Sequence, residues 1–200
     1  MHYIDIIFLN TDRNPASAFG AVLHKLHGFL RANPSLRIGW TTPQFSENKP
    51  NPTEGLLTHI SRARTGSVFR LFANDANTLL SASSAINLHD LSARRIAHIT
   101  PPQPAPATTQ FVANVRVRYE FLKYSAHTRN RSAAQKNNFA KARASYLADA
   151  HASAFIPISH APAQFLLDFK PLFASTPSAT DSLSSYGLST PLNPCFLPHF

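Results

Sequence analysis

The sequence predicts an α+β protein in two parts. Residues 1–100 read as a βαββαβ domain, residues 101–109 as a proline-rich linker, and residues 110–200 as a second domain with a basic helix and a β-hairpin. Three observations carry this. Short β-branched and aromatic runs alternate with two helical stretches in the first hundred residues. The run Pro101-Pro102-Gln103-Pro104-Ala105-Pro106 is stiff and extended and separates the halves. Beyond it, an alternating strand leads into an alanine-rich basic stretch.

The elements follow in order. Tyr3 to Leu9 is β-branched and aromatic and ends at Asn10-Thr11-Asp12, so it reads as a central strand. Ser17 to Asn33 carries Phe19, Val22, Leu23, Leu26 and Leu30 at helical spacing and stops at Asn33-Pro34. Leu36 to Trp40 is a second strand, and proline-rich Thr42 to Glu54 is a loop or an extended edge. Ser67 to Phe72 is a third strand. Asn74 to Ser84 is a short helix with Leu79 and Leu80 inward, and Arg95 to Ile99 is a fourth strand. This order matches the ferredoxin-like arrangement, which RNA-recognition modules also use. In the second half, Gln110 to Glu120 alternates. It places Phe111, Ala113, Val115 and Val117 on one face and Asn114, Arg116 and Arg118 on the other, a half-exposed strand. Ser132 to Ala152 reads as a helix, Ala154 to Ile158 with Gln164 to Phe169 as a hairpin, and Pro171 to Ser185 as a loop.

Two hundred residues can bury roughly two-thirds of the unfolded surface, enough for an independent core. The hydrophobic fraction of 44% argues against wholesale disorder. A single cysteine, Cys195, excludes an internal disulfide framework and a Cys-only zinc cluster. No apolar run of about 18 residues is present, so nothing is expected to span a membrane, though the basic surplus suits either nucleic acid or an acidic membrane surface. Met1 to Leu9 contains Asp5 and no basic leader, so a secretory signal is not expected and a reducing, cytoplasmic location is.

Charge is the informative quantity. The chain carries 19 Lys+Arg against 10 Asp+Glu, a net +9 and a pI near 10.2. Arg116, Arg118, Lys123, Arg129, Arg131, Lys136, Lys141 and Arg143 face only Glu120, so this stretch holds +7 of the surplus. Such a concentration suits a polyanion such as nucleic acid. The ordinary alternative is a solvated basic helix face.

Three features together resemble the type I-F CRISPR repeat-processing endoribonuclease family. They are the helix with Val22-Leu23-His24-Lys25-Leu26-His27 followed by Arg37-Ile38-Gly39, the Arg116-Val117-Arg118 strand entering a basic segment, and the tail Ser185-Tyr186-Gly187-Leu188-Ser189. The tail is the most specific, and the order of the three covers nearly the whole chain. The resemblance implies an enzyme that binds the hairpin of CRISPR repeat RNA and cuts at its 3′ base without a metal or other cofactor. It also implies that the enzyme stays on the crRNA with other subunits of a surveillance complex, meeting target DNA only through that complex. The partner expected is therefore RNA and not a membrane.

The resemblance also assigns residues. His27 matches the catalytic histidine. RNA brings its own nucleophile, the 2′-hydroxyl, and an imidazole neutral near pH 7 can take its proton. The alternative is a half-buried structural histidine. His24, one turn earlier, has no third ligand nearby, so zinc is not expected. Tyr186 matches a tyrosine that orients the histidine; otherwise it is a packed strand end. The family's Ser-x-Ser-Thr-Gly loop is here Ile158-Ser159-His160-Ala161-Pro162-Ala163-Gln164-Phe165, shorter and with one serine. Ser159 is the candidate for holding the 2′-hydroxyl, and His160 for protonating the leaving 5′-oxygen. Phe165 matches an aromatic that stacks near the scissile nucleotide. Arg116 and Arg118 match an Arg-x-Gln strand that reads bases at the foot of the hairpin. Arg118 departs from its glutamine and so reads another base or a phosphate. Lys123, Arg129, Arg131, Lys136, Lys141 and Arg143 match a basic helix that enters the stem. Two alternatives stay open: a hairpin-binding cap that does not cleave, and a general RNA-recognition-like protein.

Overall fold

The computed structural model describes residues 1–9, 15–47, 63–117, 141, 152–160, 163–178 and 183–200, with the side chains of 160, 163 and 164 left aside. The chain is α+β with two antiparallel sheets. The first contains β1 (His2–Phe8), β2 (Ile38–Thr41), β3 (Val68–Ala73), β4 (Ala97–Ile99) and β5 (Gln103–Pro104). They run in the order β2-β3-β1-β4, with β5 also on β1. The helices are α1 (Pro15–Ala32), α2 (Ala76–Ala85) and α3 (Leu88–Ala93). The second sheet contains β6 (Phe111–Arg116), β7 (Ala154–His160), β8 (Ala163–Ala174) and β9 (Leu197–Pro198), in the order β7-β8-β6-β9. No helix among the described residues is long and apolar enough to cross a membrane.

The element that positions the site is α1. Proline suits its first position, where the backbone N–H would be unpaired anyway. Ala16, Phe19, Gly20, Val22, Leu23, Leu26 and Leu30 are buried at the spacing of one helix face. Phe19 packs on Phe69 of β3 at 4.9 Å between ring centroids. On its other side α1 lies against β7. A Cβ on Gly20 would sit 1.9 Å from the Pro157 carbonyl oxygen, so the helix reaches the β7 backbone only because this residue is glycine. The helix ends where Asn33 donates its backbone N–H and its side-chain amide to the Phe29 carbonyl. Pro34 then prevents continuation.

Trp40 of β2 joins the two sheets. It is fully buried and packs on Phe69 at 5.1 Å and edge-on to Phe169 of β8 at 4.9 Å. Its backbone carbonyl accepts a hydrogen bond of 3.0 Å from the buried Asn114 side chain on β6. One apolar cluster therefore runs from Ile4 through α1 to Phe169 and Leu188.

Several expectations are refined. α2 is present, but Leu80 is 52% exposed while Leu79 is buried, because only one of two adjacent helical positions can face the sheet. α3 was not expected: six residues are too few to show a period. β6 is not half-exposed, for Val112, Ala113, Asn114 and Val115 are all buried. Strands flank it on both sides, and the face carrying Asn114 looks onto β2. β8 runs on through Pro171 to Ala174 where a loop was expected. Past Phe169, β8 has β6 on one side and no paired residue of β7 on the other. A strand with one neighbour tolerates the missing N–H of proline.

Candidate active site

His27 lies at the margin of the buried stripe of α1, one turn after Leu23 and one before Leu30, and is half-buried. Its ring stacks face to face on Tyr186, with centroids 3.9 Å apart and planes 5° from parallel. The two residues are brought together from opposite ends of the chain.

Tyr186 is held by its backbone. Ser184 to Gly187 form a turn in which the Gly187 N–H donates to the Ser184 carbonyl at 2.8 Å. The Ser184 hydroxyl accepts from the Leu188 N–H at 3.2 Å. Gly187 has φ +68°, and a Cβ there would meet Trp40 Cδ1 at 2.7 Å and the Ile38 carbonyl oxygen at 2.8 Å. The turn thus needs glycine twice over, for its left-handed backbone and for its approach to β2. The Trp40 indole N–H donates to the Tyr186 carbonyl at 2.7 Å. Beyond the turn, Ser189 donates to the Asn114 carbonyl at 3.0 Å and accepts from the Arg116 N–H at 3.3 Å. The tail is thereby held by its backbone against β2 and β6.

Electrostatics set the protonation of the pair. Burial pushes the His27 pKa below its usual 6.5, and the neighbouring charges of Arg31 and His24 act in the same direction. A hydrogen bond at the Ser185 backbone opposes them. The net result is an imidazole that is neutral at physiological pH. Its Nδ1 is buried with no hydrogen-bond partner among the described residues. Burial raises the Tyr186 pKa, against the pull of Arg116 and Arg31, so the phenol keeps its proton. A neutral imidazole can accept a proton and the phenol can donate a hydrogen bond.

Around the pair, Phe165 of β8 meets the Tyr186 ring edge-on at 6.1 Å and is partly exposed. Arg116, half-buried at the end of β6, acts on the phenol through its charge. Ser159 is exposed at the end of β7; it pairs with Gln164, next to the pairing of Ile158 with Phe165. The backbone of His160 pairs with Ala163 at the hairpin end. Lys141 is exposed. Arg118, Lys123, Arg129, Arg131, Lys136 and Arg143 lie outside the described residues. Among the described residues no three His, Cys, Asp or Glu side chains are grouped as a metal site requires.

Sequence reasoning missed Arg31, whose charge reaches both His27 and Tyr186. The signal was present: position 31 is one helical turn beyond His27 on the same face. It also missed Trp40, which holds the tail from 146 residues away, and Asn114, whose amide reaches the Trp40 carbonyl across 74 residues; neither leaves a local mark.

An α+β scaffold of net charge +9 here sets a neutral imidazole against a protonated phenol, a pair able to accept a proton and to donate a hydrogen bond. The comparison with known families gives the particular assignment. The family described as CRISPR-associated protein (Cas_Csy4) matches residues 3–200, and the chain belongs to it. This is the type I-F CRISPR-associated repeat-processing endoribonuclease family, whose work is the processing of CRISPR repeat RNA. No curated protein sequence matches the chain.

Proposed function

We propose that this chain is a metal-independent endoribonuclease. It binds the hairpin of CRISPR repeat RNA, cleaves at the 3′ base of that hairpin, and remains on the mature crRNA as a subunit of a surveillance complex. The observation that carries the reading is the neutral His27 stacked on Tyr186 within a chain of this family.

The chemistry follows from RNA itself. His27 accepts the proton of the 2′-hydroxyl, and the freed O2′ attacks the adjacent phosphorus. The O2′–P bond forms and the P–O5′ bond breaks, leaving a 2′,3′-cyclic phosphate on the hairpin. The departing 5′-oxygen takes a proton, for which His160 is the candidate. General base catalysis of this kind contributes about 10²–10⁴-fold. Because nucleophile and base are both supplied, no step calls for a metal ion. Tyr186 fixes the plane of the imidazole, Ser159 holds the 2′-hydroxyl, and Phe165 stacks on the nucleotide beside the cut. Arg116 and Arg118 read bases at the foot of the stem. Lys123, Arg129, Arg131, Lys136, Lys141 and Arg143 bind its phosphates. In this reading residues 1–100 carry the base and residues 110–200 hold the RNA.

The test uses a CRISPR repeat RNA from the array that accompanies the protein, incubated in EDTA. One cut at the 3′ base of the hairpin, a product ending in a cyclic phosphate, and no cut when that position is 2′-deoxy are expected. An intact ribose substrate, or cutting that needs added metal, defeats the proposal.

A further inference from the structure

We propose that the groove between the last turn of α1, the turn entering β2 and the Ser184–Gly187 turn binds the nucleotide on the 3′ side of the cleaved bond. The inference rests on reading the chain as a repeat endoribonuclease and adds a subsite to it.

The groove has a volume of about 320 Å³, within the roughly 300–1,000 Å³ of small-ligand clefts. Arg31, Arg37, Ser184 and Ser185 supply its polar lining, and Leu36 and Leu183 its apolar lining. No carboxylate lines it among the described residues. Positive charge, hydroxyl donors and a small apolar floor suit one phosphate with the base beside it.

The two arginines differ in a useful way. Arg37 bonds the Pro34 and Leu36 carbonyls through Nη1 alone, which anchors its guanidinium at the rim and leaves its other donors free for a ligand. Arg31 is exposed and has no ion pair among the described residues. It stands one turn beyond His27 on α1, about 5–6 Å away between Cβ atoms. A phosphodiester next to the one cut at His27 therefore comes within its reach.

Polarity of the strand decides which nucleotide enters. Phe165 of β8 and Arg116 of β6 approach Tyr186 from the second sheet, the half assigned to holding the stem. The groove is lined from α1, the turn entering β2 and the Leu183–Ser185 segment, and no residue of β6, β7 or β8 lines it among the described residues. A strand crossing His27 from the stem enters the groove with its 3′ segment, the part released as leaving group.

The experiment compares two RNAs, both 2′-deoxy at the cleavage position so that neither is cut. One ends at the nucleotide before the scissile bond and the other continues two nucleotides past it. Dissociation constants are measured at one fixed salt concentration for the wild type, the double variant Arg31→Ala/Arg37→Ala and the control Arg94→Ala. The wild type and the control are expected to bind the extended RNA about fivefold to tenfold more tightly than the short one, the worth of one or two charge-assisted contacts. The double variant is expected to bind both alike. Equal binding of the two RNAs by the wild type overturns the proposal, as does a preference that survives in the double variant. If the wild type binds neither RNA better than an unrelated hairpin, the repeat-binding reading itself has failed and the subsite falls with it.

Discussion

Substituting Gly187 with alanine separates the role of the tail from that of everything else. The backbone there has φ +68°, a conformation that costs a residue with a Cβ about 1–2 kcal/mol. The added methyl also meets Trp40 Cδ1 at 2.7 Å and the Ile38 carbonyl oxygen at 2.8 Å, both closer than real Cβ contacts. Neither neighbour can retreat, since Trp40 is fully buried between Phe69 and Phe169 and the carbonyl belongs to a strand. Overpacking of this kind costs about 1–3 kcal/mol more. The sum, about 2–5 kcal/mol, corresponds to a fall in Tm of roughly 4–20 °C for a chain of this size. Gly28→Ala is the matched control: its Cβ meets nothing within 4 Å, and alanine in a helix is favoured by about 0.5–1 kcal/mol. Thermal unfolding followed by circular dichroism is the assay. Gly187→Ala melting at the wild-type temperature, or Gly28→Ala losing as much as Gly187→Ala, refutes the docking of the turn on β2. The same Gly187 variant is expected to cleave more slowly at temperatures where it remains folded, because Tyr186 leaves its place over His27.

Three further outcomes follow from the site. Tyr186→Phe keeps the stacked ring and is expected to retain most of the single-turnover cleavage rate, whereas Tyr186→Ala loses roughly threefold to tenfold, the worth of one aromatic pair; equal loss in both would assign the work to the hydroxyl. His27 in the free protein is expected to titrate below 6.5 by NMR, so its ability to accept a proton is present at neutral pH and lost as pH falls through that lowered value. Arg31→Ala is expected to raise the midpoint, because a cation that favours the neutral ring is gone; an unchanged or lower midpoint contradicts the assignment. Hairpin affinity is expected to weaken with salt, with a slope of log K against log salt of about −4 to −7 if six to eight of the basic residues meet phosphates, while a slope near zero removes the electrostatic basis of binding.

What the sequence shows and what it hides divide along contact range. The stripe Phe19-Val22-Leu23-Leu26-Leu30 has the helical period, so α1 and the marginal position of His27 on it were legible. The Ser-Tyr-Gly-Leu-Ser tail was legible as a motif, and the left-handed Gly187 gives its physical reason. Asn114 looked like an outward polar residue because alternation alone cannot tell solvent from a second sheet; its amide is spent on the Trp40 carbonyl. Arg31 has no part in the sequence reading, since half of its importance depends on a tyrosine 155 residues further on. The loop expected after Pro171 is strand because the proline falls where β8 has a neighbour on one side only, a fact of pairing and not of composition.

The most direct measurement is the single-turnover cleavage rate of His27→Ala on the repeat hairpin, taken beside the dissociation constant of the same variant for the same RNA. A fall of about 10²–10⁴-fold in rate with affinity unchanged is the expected result for a base that acts on the 2′-hydroxyl. Cleavage within a few fold of wild type, at equal affinity, would show that the proton leaves by another route and that the imidazole under Tyr186 is only packing.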